Sequence, residues 1–307
     1  LTRAPSRKSP KPAKAIWSIR NSPVTTYGQL LRETYSEWST NKAPRLAAAL
    51  SYYTLFAMAP LLVIVIQIGA MIIGGGRADG HHQQVIGVVE QHLRASLGPA
   101  AAQTVADLVE ATVSQQGQGL LSATLGWTML VVAAVGLFGS LKDALNTTWE
   151  LPPPKPRSWG EKIRERFTAF FLIAGLAVLL LLSLASNTIL ALLPLGHTLL
   201  QGVNTGVVLT LATLLFAFIF KYLPDLRIRW GDVWVGALVT TALSGLGQLL
   251  LSLYLTRMAT TSTFGAAGSL VILMVWVYYQ AQILLFGATF TRVYANRLGS
   301  LEGEKQS

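Results

Sequence analysis

The stretch Leu46–Ile73, LAAALSYYTLFAMAPLLVIVIQIGAMII, decides how the rest of the chain is read. It contains no Asp, Glu, Lys or Arg and exceeds the roughly 17–25 residues that a helix needs to cross hydrocarbon. One ionised residue at mid-bilayer costs about 2.5–3.5 kcal/mol on translocon scales, so a clean window of this length predicts a transmembrane helix. Working outward, the same reading applies to Leu120–Leu141, Thr168–Pro194, Gly202–Phe220, Val233–Thr256 and Ala266–Thr291. Strands of a membrane barrel would be about ten residues long and strictly alternating, and these runs are neither.

Composition agrees with that reading. Of 307 residues, 12% are charged, against about 25% in soluble globular proteins. Apolar types reach 52% and mean hydropathy is +0.48. So few charges cannot cover a surface wetted by water, and soluble enzymes are set aside on that ground. The absence of cysteine removes disulfides, thiolate metal sites and a cysteine nucleophile.

The net charge of +10 takes its meaning from where the charges fall. Segments 1–45, 142–167, 221–232 and 292–307 hold 9, 6, 3 and 3 Lys plus Arg, which is 21 of the 24; segments 74–119, 195–201 and 257–265 hold the other 3. The positive-inside bias therefore predicts cytoplasmic termini. The basic residues read as topology signals and contacts to anionic headgroups, not as a nucleic-acid groove, since no folded basic segment with interleaved aromatics is present. The expected partners are membrane lipids, through anionic headgroups at the cytoplasmic face; no nucleic acid is expected, and a homo-oligomer is left open.

The organisation that follows is a basic, disordered tail over 1–26, a membrane domain over 27–297 and a short tail over 298–307. No signal peptide is expected, because apolar sequence begins only at Leu46. Gly28–Lys42 mixes Leu30, Leu31, Tyr35 and Trp38 with charge and predicts an interfacial amphipathic helix. Between the first and second spans, 74–119 carries two amphipathic stretches around the Gly98-Pro99 break, read as an external helical hairpin over the bundle mouth. The fold class is thus all-α: a polytopic membrane protein with six transmembrane helices, cytoplasmic termini and an external helical loop between helices 1 and 2.

Chemistry-bearing sets are sparse. His81, His82 and His92 share the external loop and His197 lies in another external turn, but their spacing lacks the i, i+4 pair of a helical zinc site, so they read as solvated. The spans contain no carboxylate, Lys or His, so neither acid–base catalysis nor side-chain proton coupling is expected inside the bundle. No Walker A string occurs, and no cofactor or metal is implied. What the spans do carry is uncharged polarity at helical spacing. Tyr53, Pro60 and Gln67 recur in the first; Ser183, Ser186 and Asn187 lie in the third; Thr241, Ser244, Gln248 and Ser252 form a stripe on the fifth; Tyr278, Gln282 and Thr289 line the sixth. Interhelical hydrogen bonds worth about 0.6 kcal/mol each account for any one such residue. Stripes on four helices together point to a polar cavity, with Tyr53, Pro60, Gln67, Asn187, Gln248, Tyr278, Gln282 and Thr289 as its candidate lining.

Several ordered strings resemble one family. Arg45-Leu46-Ala47-Ala48-Ala49-Leu50-Ser51-Tyr52-Tyr53-Thr54-Leu55-Phe56, running on to Pro60-Leu61-Leu62, is similar to the first span of the YihY/virulence factor BrkB family. Asp143-Ala144-Leu145-Asn146-Thr147-Thr148-Trp149 resembles the family's segment after the second span, and Tyr222-Leu223-Pro224 with Trp230 and Gly236 its turn into the fifth. Thr263 to Ser269, Trp276 to Tyr279 and Leu285 to Ala288 look like its last helix. The resemblance covers Tyr27 to Arg297. It implies a six-helix bacterial inner-membrane protein, associated with virulence or serum resistance and with transport of lipids or other envelope components. The family's older label, ribonuclease BN, finds no support in these residues. Where the family usually carries Glu after the Gly-Ala of its last helix, this chain has Thr289, so no acidic role carries over to that position. The leading expectation is a transporter of a lipid-like or amphipathic envelope substrate. The alternative is a non-transporting scaffold or envelope assembly factor; an enzyme is not expected.

Overall fold

The computed structural model describes residues 27–73, 136–151, 197–226, 228–258 and 265–300, with single positions and short runs between 85 and 106. Among these residues the regular structure is entirely helical. Helix α1 spans Tyr27–Thr40 and α2 spans Ala43–Ile73. A helical segment over 136–148 is α3; α4 is His197–Tyr222, α5 is Trp230–Met258 and α6 is Gly265–Arg297. Residues 1–26, most of 74–135, all of 152–196, 227, 259–264 and 301–307 lie outside the described set, and with them the N-terminal tail, most of the C-terminal tail, most of the external loop and of the second predicted span, the third predicted span and Asn187.

Three described helices are long and apolar enough to cross a membrane: Gly202–Tyr222, Trp230–Leu250 and Leu273–Arg297. Their outward faces carry Leu209, Leu238, Leu246, Leu249, Leu253 and Val275, which hydrocarbon would wet without cost. The helices overrun the charge-free windows. His197, expected in a turn, opens α4, and α6 continues past Thr291 through Arg292 to Arg297. The reason is that loss of a clean window marks the edge of hydrocarbon, whereas backbone hydrogen bonds continue wherever polar side chains find water or partners.

α6 sits at the centre and packs on α1, α2 and α5, while α4 packs mainly on α5. Burial follows this order: 56% of the α6 window is buried, against 33% for α5 and 17% for α4. The α5–α6 crossing is close because glycine and threonine alternate across it. Thr291 lies where a side chain on Gly236 would be, and Thr240 where one on Gly287 would be. Tyr279 covers Gly247 in the same way. Thr240 and Thr291 satisfy their hydroxyls on their own helices, at Gly236 O (2.7 Å) and Gly287 O (2.8 Å), so the crossing buries no orphan hydroxyl at these two positions.

The main apolar cluster lies at one end of the bundle. It gathers Ala43, Ala47 and Leu50 of α2, Leu145 of α3 with Trp149 just after it, Phe220 and Leu223 at the end of α4, Val233 of α5, and Leu285 and Ala288 of α6. The predicted amphipathic helix exists as α1, but it is docked: Leu30 and Thr34 are buried, and Trp38 meets Phe286 of α6 edge-on at 6.4 Å. Leu31 and Tyr35 remain exposed on its other face.

Candidate functional site

Five chain segments converge beside that apolar cluster: α1, the end of α3, the α4–α5 turn, the start of α5 and the end of α6. The centre is Arg292, only 8% exposed. Its Nη1 donates to the carbonyl of Thr148 at 2.8 Å, and its Nη2 lies 2.7 Å from Glu150 Oε2 and 3.8 Å from Glu37 Oε2. Asn41 donates its side-chain N–H to the same Thr148 carbonyl at 3.3 Å. An arginine suits this place because its planar fork reaches a carbonyl and a carboxylate at once.

The end of α3 is shaped to present Glu150. Trp149 N–H donates to Leu145 O, Glu150 N–H to Thr147 O and Leu151 N–H to Asn146 O, which is a Schellman termination. The residue after such a helix takes a left-handed conformation, and glycine is favoured there; Glu150 occupies it with φ 54°. A residue with a Cβ gives up about 1–2 kcal/mol in that conformation. Its charge-assisted bond to Arg292 is of similar size, about 1.5–3 kcal/mol. Lys42, at the α1–α2 turn, is the other left-handed non-glycine among the described residues.

Further pairs tie the same end together. Arg297 grips Glu33 of α1 with Nε at 3.1 Å and Nη2 at 2.7 Å. Asn146 and Asp225 bond reciprocally: the amide N–H of Asn146 donates to Asp225 Oδ2 at 3.0 Å, and Asp225 N–H donates to Asn146 Oδ1 at 3.1 Å. Lys142 Nζ adds an ion pair to Asp225 at 2.9 Å. Buried Asp232 accepts from Ser300 N–H at 2.9 Å and Ser300 Oγ at 2.7 Å. Lys221 donates to the Ile228 carbonyl and lies 5.7 Å from the centroid of the Trp230 ring. Trp230 joins Phe218 and Tyr222 in an exposed ring cluster with centroids 5.6–6.1 Å apart. Aromatic rings beside Lys and Arg at a helix end are the side chains that favour the membrane–water boundary.

A second polar region lies deeper. Gln282 donates its amide N–H to Tyr278 Oη at 2.5 Å, one turn away. Gln282 Oε1 and Ser244 Oγ are buried without a hydrogen-bond partner among the described residues. The Gly–Thr and Gly–Tyr contacts set the antiparallel register of α5 and α6 and place Ser244 level with Gln282–Ile283. Along α6 this level is about 15 Å from Arg292 at 1.5 Å per residue.

The candidate lining residues distribute as follows. Tyr278 and Gln282 are paired; Thr289 is fully buried and spends its hydroxyl on Leu285 O at 2.8 Å. Tyr53 is half exposed, packs edge-on against Tyr52, and borders Gly136 of α3. Gln248 is exposed on α5. α2 runs unbroken as a helix through Pro60 and Gln67, whose side chains lie outside the described set, as does Asn187 altogether. No group of three or more His, Asp or Glu poised for a metal occurs among the described residues.

Sequence reasoning missed Arg292, Glu150 and Glu37. It counted Arg292, Arg297, Lys142 and Lys221 only among the basic residues that signal topology and meet headgroups; in the structure all four also bind protein groups. A usable signal was present. Arg292 continues the face of Ala288 and Ala295, both fully buried, so its spacing points inward.

Comparison with known proteins gives a consistent picture. The model of the family described as virulence factor BrkB matches residues 34–307. A protein of Verminephrobacter eiseniae named UPF0761 membrane protein is 28% identical over 90% of this chain and 64% of its own length. One of the same name from Albidiferax ferrireducens is 27% identical over 88% of the chain and 62% of its length, and one from Aeromonas salmonicida is 23% identical over 86% and 88%. The chain thus spans less than two thirds of the first two relatives. No solved structure matches.

Proposed function

Because the chain belongs to the virulence factor BrkB family of membrane proteins, we propose that it is a transporter-like protein of the bacterial inner membrane handling an amphipathic, lipid-like envelope substrate. The reading includes six spans, with both termini and the Arg292 cluster on the cytoplasmic side, and it is supported by the placement of 21 of 24 basic residues in four segments. Anionic headgroups at that face are the proposed lipid partners, met by exposed Arg32, Arg45 and Arg229.

One observation carries the transport reading. Gln282 Oε1 and Ser244 Oγ are buried, level with one another and unbonded among the described residues, well inside two apolar helices. An unmet polar atom in hydrocarbon costs several kcal/mol, so water or a substrate group between the helices is the natural partner. No charge accompanies them, which suits a substrate whose buried part is neutral. Reconstitution into liposomes tests this, with lipid scrambling and solute uptake measured for the wild type and for Gln282→Leu. Activity in the wild type and its loss in Gln282→Leu are expected. A wild type inactive across lipid and solute panels would sink the reading.

A non-transporting scaffold is the second reading. The interlocked glycines and threonines of α5 and α6 favour it, since a dry, close crossing of that kind resists opening.

A further inference from the structure

Arg292 stands between two acids on different elements. Glu150, half exposed, closes α3; Glu37, more deeply placed, belongs to α1. Nη2 is bonded to Glu150 at 2.7 Å and has Glu37 within ion-pair range at 3.8 Å. A buried guanidinium cannot be left without a counter-charge, so any motion that parts α6 from Glu150 needs a second carboxylate in reach. Two local anchors would outlast such a motion. Arg297 holds Glu33, keeping α1 on α6, and Asn146 with Lys142 holds Asp225, keeping α3 on the α4–α5 turn.

We infer that Arg292 is a two-position gate at this end of the bundle: paired with Glu150 it keeps the Ser244–Gln282 level shut off from this side, and transfer of Nη2 to Glu37 opens it. The inference rests on the polar interior described under the proposed function and assigns its control. Neither state leaves the guanidinium unpaired, so the exchange is one of partners, with no buried charge exposed to hydrocarbon in between.

The chain has no cysteine, so Ser244→Cys supplies a single thiol. A membrane-impermeant maleimide applied from the Arg292 side of proteoliposomes reads its accessibility. Glu150→Gln weakens the closed pair and should speed labelling on the order of five-fold or more; Glu37→Gln weakens the open pair and should slow it by a similar factor. Opposite signs are the signature, because a merely structural ion-pair cluster would shift both variants the same way. Glu37→Asp, with a shorter reach, should act as Glu37→Gln does and keeps the sign test in force if the amide variant does not fold. Equal shifts, or none, overturn the gate while leaving the interior intact. A thiol that stays unlabelled from both sides in every background overturns the polar interior, and the gate with it.

Discussion

At the residue scale the informative side chain is Arg292, whose fork spans a carbonyl and a carboxylate. Lysine would keep the charge but could not hold both positions from one plane. Arg292→Lys should therefore lose a charge-assisted bond to a buried group, about 1.5–3 kcal/mol, and lower the thermal midpoint in detergent. An unchanged midpoint would mean that the Thr148 carbonyl is satisfied without the guanidinium. Position along the chain told that Arg292 lies just beyond an apolar window, and its spacing from Ala288 and Ala295 that it turns inward, but not what it meets there. Which helix end faces it is a lateral question, and the acids that answer it come from residues 37 and 150. Thr289 shows a related limit, since a hydroxyl that looks like part of a stripe is absorbed by its own helix at Leu285 O.

At the element scale, α6 is central because small residues let α5 approach it. A methyl on Gly236 or Gly287 would meet Thr291 or Thr240, and overpacking of this kind costs about 1–3 kcal/mol. Gly236→Ala and Gly287→Ala should each lower the thermal midpoint. Gly245→Ala, with no described residue within 4 Å of the added carbon, should be neutral or slightly stabilising through helix propensity, worth up to about 1 kcal/mol. Equal effects at all three positions would remove the interlock as the basis of the crossing. The helices themselves were legible: α1, α2, α4, α5 and α6 each fall where apolar or amphipathic pattern predicted them, with ends displaced by a few residues. The interlock was not, because glycine content alone does not say which threonine fills the space above it.

At the scale of the whole molecule, three of the described helices fit a membrane span by length and composition, and exposed aromatics at Phe218, Tyr222 and Trp230 sit at the same end as the charged cluster. The proposed topology is tested on the cysteine-free chain with single thiols at Ser6, Ser96 and Ser307. In right-side-out vesicles an impermeant reagent should label Ser96→Cys alone, and in inverted vesicles Ser6→Cys and Ser307→Cys. Termini on opposite faces would rule out an even number of spans.

Sequence alone determined the solvent and the helical class. A run such as Leu46–Ile73 has one low-energy form in hydrocarbon, because its backbone can be satisfied only within the helix. Tertiary structure alone decided which charges leave the lipid face and bind one another. Arg292, Glu37 and Glu150 are distant in the chain, and their meeting depends on helix packing that periodicity does not encode. Burial then turned a basic residue counted for topology into the centre of an ion-pair cluster, since a charge removed from water must find its partner in the protein.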